Sequence, residues 1–259
     1  MDLFDALIDD ARLLNADPAA TEAAVRDHLQ CRVGASGELV GRLQVPDFRL
    51  AAIARCVPAG SPLAVSVVNS SGAGGIVSLA ARVAAVPDLD VVAVESDIRD
   101  RDDPRGNAAR IIAAVTSLDL DDLELYVGIP HVPGWIRAVE VIEAGGHFGK
   151  IDGTRIDDDE QAPALAVQLS TLVEADLAFT ITLPPEPVGS AYALVRVLNT
   201  TAALIDGADI SDATALLRRD LSAPPPPLIK DSWDPAARQR IRRRLRRVSG
   251  PVLEPATGY

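Results

Sequence analysis

The chain has 259 residues, 48% of them hydrophobic and 24% charged, with a formal net charge of −12. That length allows one large domain or two small ones, and the aliphatic content excludes disorder as the dominant state. The acidity speaks against nucleic acid as a ligand, because phosphate backbones need a positive surface.

Several other classes fall away on pattern. No run of about 18 apolar residues exists, so no membrane span is expected. The start, MDLFDALIDDARLLNAD, has no basic region followed by an apolar stretch, so it does not read as a signal peptide. Cys31 and Cys56 are too few for a disulfide framework, which makes a reduced cytoplasmic setting the expectation. With three histidines (His28, His131, His147), no metal site is assigned, and no cofactor. The basic residues comprise 23 Arg and two Lys, Lys150 and Lys230. GC-rich codon usage is expected to explain part of that bias, yet it makes each lysine worth locating.

In chain order, residues 1–33 read as a helical N-terminal extension, and residues 34–259 as one domain of alternating strands and helices. VGRLQV at 40–45 is a strand, and Asp47 can cap a helix through FRLAAIARCV. PLAVSVV at 62–68 is the second strand, followed by a Gly-rich turn and the helix GIVSLAARVAAV. LDVVAVE at 89–95 is the third, with NAARIIAAVTSL after an acidic loop. LELYVGI at 123–129, HFGKID at 147–152 and LAFTITL at 177–183 are the next three, each with an Ala-rich helix behind it. Apolar residues recur at three- and four-residue steps in the helices, and the strands are short apolar runs.

Such regular units predict parallel strands with helical crossovers, covered by helices on one face. PPLIKD at 226–231 and VSGPVLEP at 248–255 are weaker candidates for a seventh and an eighth strand. Between them, Asp234 and Pro235 open a helix as cap and first-turn proline, and the basic segment 234–248 reads as that helix. Eight units in about 250 residues predict a (β/α)8 barrel of the TIM type. An open parallel α/β sheet is the alternative, disfavoured by the lack of a nucleotide fingerprint after the first strand.

The stretches GGHFGKIDGTR, AFTITLPPEPV and YALVRVLNTTAALIDGADISDATALLRR, with LIDDA at 7–11 and LEP at 253–255, resemble a group of uncharacterised bacterial barrel-type proteins. The resemblance runs in order across most of the chain and implies the barrel scaffold, with LIDDA in a helix. Members of that group carry Lys-Leu-Arg on the fifth strand, Lys on the sixth and then a Gly-Leu-His-His turn. Lys150 stands at the first position, Thr180 replaces the second lysine, and the turn reads Leu183, Pro184, Pro185, Glu186. The resemblance implies no activity.

Barrels place function where strands end and loops begin. Those ends offer Gln44, Asn69, Glu95 with Asp97, His131, Lys150 with Asp152, Thr182, and Lys230 with Asp231. A lysine desolvated among apolar walls has a lowered pKa and can serve as base or imine-forming nucleophile. Lys150 is therefore the candidate catalytic residue, with Asp152 and Glu95 tuning it; a structural ion pair with either carboxylate is the plainer alternative. Asn69, Ser70, Ser71, Gly72, Gly74 and Gly75 run from a strand end into a helix and are a candidate anion-binding loop, or simply a capped turn. The acidic runs from Asp97 to Asp103 and from Asp157 to Glu160 read as solvated loops that repel anions.

The C-terminal segment is the largest break in composition. Arg238, Arg240, Arg242, Arg243, Arg244, Arg246 and Arg247 give residues 234–259 a charge of +5 and leave −17 on the rest. Ile241, Leu245 and Val248 form one apolar stripe at helical spacing. Such a helix either docks on its own acidic body or offers a contact for an acidic protein partner or for self-association. Two functions follow. The leading expectation is a non-catalytic or degenerate barrel that binds or assembles through its basic helix. The alternative is an enzyme of aldolase, lyase or isomerase type, acting through Lys150 on a small anionic carbonyl compound.

Overall fold

A computed structural model describes residues 2–34, 37–58, 60–118, 122–156, 158, 160–218 and 233–252. Eight parallel strands close into a barrel in the order β1 to β8, and β1 pairs with β8. The strands are β1 (Ile8–Asp10), β2 (Val40–Pro46), β3 (Leu63–Val68), β4 (Leu89–Asp97), β5 (Glu124–Gly128), β6 (Phe148–Asp152), β7 (Phe179–Thr182) and β8 (Leu245–Gly250). The outer helices are α1 (Thr21–Val33), α2 (Leu50–Ala54), α3 (Ala73–Ile76), α4 (Leu79–Ala84), α5 (Pro104–Thr116), α6 (Trp135–Ala144), α7 (Ala162–Glu174), α8 (Pro187–Ile205), α9 (Ile210–Arg218) and α10 (Pro235–Arg244). The fold is thus a TIM-type barrel; among the described residues no helix is long and apolar enough to cross a membrane.

The six strands expected from apolar runs are β2 to β7. Side chains along each strand alternate between the helix layer and the barrel interior, so the apolar Leu43, Val45, Val65, Val67, Val94, Val127, Ile151 and Ile181 are buried against helices. Asp103 caps α5 by accepting from Gly106 N (2.8 Å), with Pro104 in the first turn. Asp234 caps α10 in the same way, accepting from Ala236 N and Ala237 N at 2.8 and 3.0 Å. Asp47 caps nothing: its carboxylate accepts from Ser70 Oγ (2.6 Å) and pairs with Arg82 (3.2 Å), and the helix after it is short.

Three expectations are corrected. The N-terminal extension is not wholly helical: LIDDA carries β1, and α1 belongs to the first barrel unit. Ile8-Asp9-Asp10 is only three residues with a single apolar one, and its charges are buried because partners meet them. Arg42 holds Asp9 at 2.7 Å, while Arg12 (2.8 Å) and His28 (3.0 Å) hold Asp10.

The basic segment is not one helix. It is helical to Arg244 and then enters β8 with no loop between. The eighth strand accordingly begins at Leu245, not at 248. A register shift separates the pairs Phe179↔Leu245 and Thr180↔Arg247, inserting one extra residue. That bulge turns Leu245 and Val248 to the same apolar side, an arrangement a regular strand forbids and a helix mimics. The expected strand at 226–231, with Lys230 and Asp231, lies outside the described residues, as does the LEP element at 253–255; β7 pairs directly with β8.

Candidate active site

Two layers of polar side chains occupy the barrel near the C-terminal ends of its strands. Glu95 and Lys150 lie in the deeper one, and Asp97 and Asp152 lie two residues further along the same strands, hence on the same face and one layer higher. Lys150 Nζ stands 3.0 Å from Glu95 Oε2 and 3.8 Å from Asp97 Oδ1. The lysine starts on β6 and its acidic partners are on β4, so its side chain crosses β5. Gly128 of β5 registers with both Asp97 and Lys150. A Cβ on Gly128 would sit 2.1 Å from Asp97 Oδ1, so glycine makes the room in which Asp97 approaches the lysine.

Glu95 is fixed from below. Gln44 Nε2 (2.6 Å) and Ser66 Oγ (2.7 Å) donate to its Oε1, and Gln44 also donates to Ser249 Oγ at 2.7 Å. Burial works to raise the pKa of Glu95, but the Lys150 charge and the Ser66 hydrogen bond outweigh it and hold the carboxyl below its ordinary range. Lys150 shows the mirror image. Burial works to lower its pKa, yet Glu95, Asp97 and Asp152 together push it well above the usual lysine value. The direction is the reverse of the expected lowering: the ion pair favours the charged, hydrogen-bond-donating form of Lys150.

Its side chain keeps 13% exposure, and that exposure opens into a cavity of about 800 Å³. Asp97, His131, Lys150, Asp152 and Thr182, all expected at strand ends, line this cavity together with Gly128. Asp152 Oδ1 accepts from Thr154 N (2.9 Å) and Thr154 Oγ1 (2.6 Å), which fixes the carboxylate above the lysine. His131 stacks at a tilt on Trp135, with ring centroids 5.7 Å apart. His147 lies just before β6, and burial lowers its pKa. Among the described residues, no three His, Cys, Asp or Glu side chains gather as a metal ion would require.

The Asn69–Gly75 loop is not brought to this cavity. Asn69 Nδ2 donates to Gly72 O (2.8 Å) and Ser96 Oγ (3.0 Å), its Oδ1 accepts from Ser71 N (3.2 Å), and Ser70 donates to Asp47. Gly74 has open space around it, and Gly75 packs against Ser71 and Asn69. The side chains of the loop thus build a turn, and the helix behind it, α3, is a single turn.

The terminal arginines mostly turn inward. Arg238 pairs with Asp2 (3.0 Å), Arg240 with Asp206 (3.1 Å), Arg244 with Asp176 and Arg246 with Glu124 (3.1 Å). Arg242 is buried and donates to Asp5 O at 3.0 Å, and Arg247 donates to Ala6 O. Burial, with Arg247 and Arg246 adding to it, brings the Arg242 pKa down to about 10. Arg243 is exposed and has no partner among the described residues.

Sequence reasoning missed Gly128, Ser66 and Ser249, and it missed Arg99, Arg101 and Arg155 at the cavity mouth. A glycine inside a strand run was the available signal for Gly128. Comparison with family models, with curated proteins and with solved structures finds no match to this chain. The chemistry of the cavity therefore carries the functional reading.

Proposed function

We propose that the protein is an enzyme of lyase or isomerase type, acting on a small anionic carbonyl compound at the C-terminal mouth of the barrel. The observation that carries this is Lys150: an ammonium ion locked 3.0 Å from a buried carboxylate, with its remaining donors facing a cavity of about 800 Å³. A substrate carbonyl oxygen accepts a hydrogen bond from Lys150, which polarises it and acidifies the neighbouring C–H bond. A carboxylate of the upper layer, Asp152 or Asp97, takes that proton, and the electron pair moves onto the oxygen as an enolate held by Lys150. In an α-hydroxy carbonyl substrate, transfer of the hydroxyl proton to the enolate oxygen and return of the carbon-bound proton to the former carbonyl carbon complete an isomerisation; expulsion of a leaving group from the β carbon instead completes an elimination. Glu95 is a positioning residue that keeps Lys150 charged.

The assembly reading draws less support, because it needs a free basic helix and the arginines are largely spent on their own chain. The test is solvent-deuterium exchange, followed by proton NMR, into a panel of small keto acids and phosphorylated aldehydes and ketones. The parent chain is expected to exchange at least one of them, and Lys150→Met to lose about 10²–10³ in rate. Equal exchange by Lys150→Met rejects the assignment. Borohydride should trap no Lys150-dependent adduct, since a protonated amine does not add to a carbonyl.

A further inference from the structure

Of the acids in the run from Asp97 to Asp103, Asp97 lines the cavity, whereas Asp100, Asp102 and Asp103 do not. Asp103 caps α5, and Asp100 accepts from Asp103 N (3.1 Å) and pairs with Arg110 (3.1 Å). Asn107, buried on α5, pins the start of the loop by accepting from Arg99 N at 2.8 Å. The residues of that run which reach the cavity mouth are Asp97, Ile98 and two arginines, Arg99 and Arg101. Arg155, on the loop after β6, joins them. Arg101 has no hydrogen bond or ion pair among the described residues. Arg99 spends one donor on Ser70 O, and Arg155 pairs with Asp158 through one nitrogen. A guanidinium carries five donors, so all three retain donors for a ligand.

From this arrangement we infer that Arg99, Arg101 and Arg155 form a subsite for a phosphoryl dianion, so that the substrate is a phosphorylated carbonyl compound. One carboxylate is matched by one bidentate guanidinium, whereas a phosphoryl group presents three oxygens and two charges to donors arriving from two loops. The cavity is also far larger than a two- or three-carbon acid needs. On a chain of net charge −12, an anion is favoured only where cations gather, and the cavity lining sets Arg99, Arg101, Arg155 and Lys150 against the carboxylates Asp97 and Asp152. The phosphorylated class rests on the carbonyl chemistry proposed for Lys150, but the phosphate subsite can be tested without it.

The experiment is isothermal titration calorimetry of the full chain at low ionic strength, with inorganic phosphate and, separately, acetate. Phosphate is expected to bind at one saturable site at least tenfold more tightly than acetate. Arg101→Ala/Arg155→Ala, two exposed positions whose loss should leave the fold intact by circular dichroism, is expected to weaken phosphate at least tenfold. Arg243→Ala, before the start of β8 at the opposite end of the barrel, is expected to change nothing. Absence of saturable phosphate binding, equal affinity for acetate, retention in the double arginine variant, or loss in the Arg243 variant overturns the subsite. Phosphate binding with no deuterium exchange into any carbonyl compound supports the subsite and removes the enzyme reading, so the two failures are distinguishable.

Discussion

The barrel buries charge at both ends, and the two ends treat it differently. At the N-terminal end, Arg42 bridges Asp9 and Glu124, both at 2.7 Å, while Arg246 (3.1 Å) and the Tyr126 hydroxyl (2.9 Å) complete the contacts to Glu124. Arg42 and Arg246 also lie over the Tyr126 and Phe148 rings, each 5.2 Å from a centroid. Arg42 and Asp9 at its centre are buried among these partners, and Glu124 and Arg246 at its edge keep partial exposure. Burial pushes the Tyr126 phenol up to about 12, and Arg42 brings Glu124 below its ordinary range against the opposing effect of burial. At the C-terminal end, Lys150 and Glu95 pair at 3.0 Å, and the lysine also faces a cavity whose walls carry two further carboxylates. Paired charge that faces only protein is a fastener; paired charge with one side left open is a candidate for chemistry.

The contrast breaks first at its lower end. Arg42→Met leaves Asp9 buried without its main partner and should cost about 3–5 kcal/mol in urea denaturation, with the cavity unaltered. Lys150→Met exposes the same logic above. Glu95 loses its cation, stability falls on the order of 3 kcal/mol, and exchange activity falls with it. Gly128→Ala sharpens the comparison further. A methyl 2.1 Å from Asp97 Oδ1 must push that carboxylate away, costing about 1–3 kcal/mol and lowering activity while the lower cluster stays intact.

Acid should weaken both ends together. The pKa values of Asp10, Glu95 and Glu124 are depressed in the folded chain, so their contribution is complete above the unfolded values of about 4 and is lost as pH falls through the folded ones. Melting temperature should therefore drop steeply below about pH 4. Lys150 has the opposite sign: its folded pKa is raised, so its contribution is complete below about pH 10 and is lost only beyond that. The smallest effect is expected at Arg243→Ala, within about 0.5 kcal/mol, because Arg243 is exposed and makes no hydrogen bond or ion pair among the described residues.

Much of this was readable in the chain itself. Strands β2 to β7 stand out as apolar runs because parallel strands under helices must be apolar on their outer side. The same rule placed Asp97, His131, Lys150, Asp152 and Thr182 at strand ends, and all of them line the cavity. What stayed hidden depended on partners distant in sequence. β1 is three residues with two buried aspartates, tolerable only because Arg42, Arg12 and His28 arrive from elsewhere. β8 carries arginines whose acids are Glu124 and Asp9, and its bulge disguises a strand as a helix. The sign of the Lys150 shift was equally out of reach, because burial and ion pairing oppose each other and only their distances decide which prevails.

The measurement that bears most directly on the division between the two ends uses Lys150→Met/Glu95→Gln. Removing both charges spares the interior an unpaired ion, and Gln44 Oε1, which has no donor among the described residues, offers an acceptor beside the new amide. Urea denaturation of this double variant should give a stability within about 1 kcal/mol of the parent, while its deuterium exchange into the parent's best carbonyl substrate falls by about 10²–10³. A double variant that is as stable as the parent and exchanges as fast would contradict the account, because the open ion pair would then be only a second fastener.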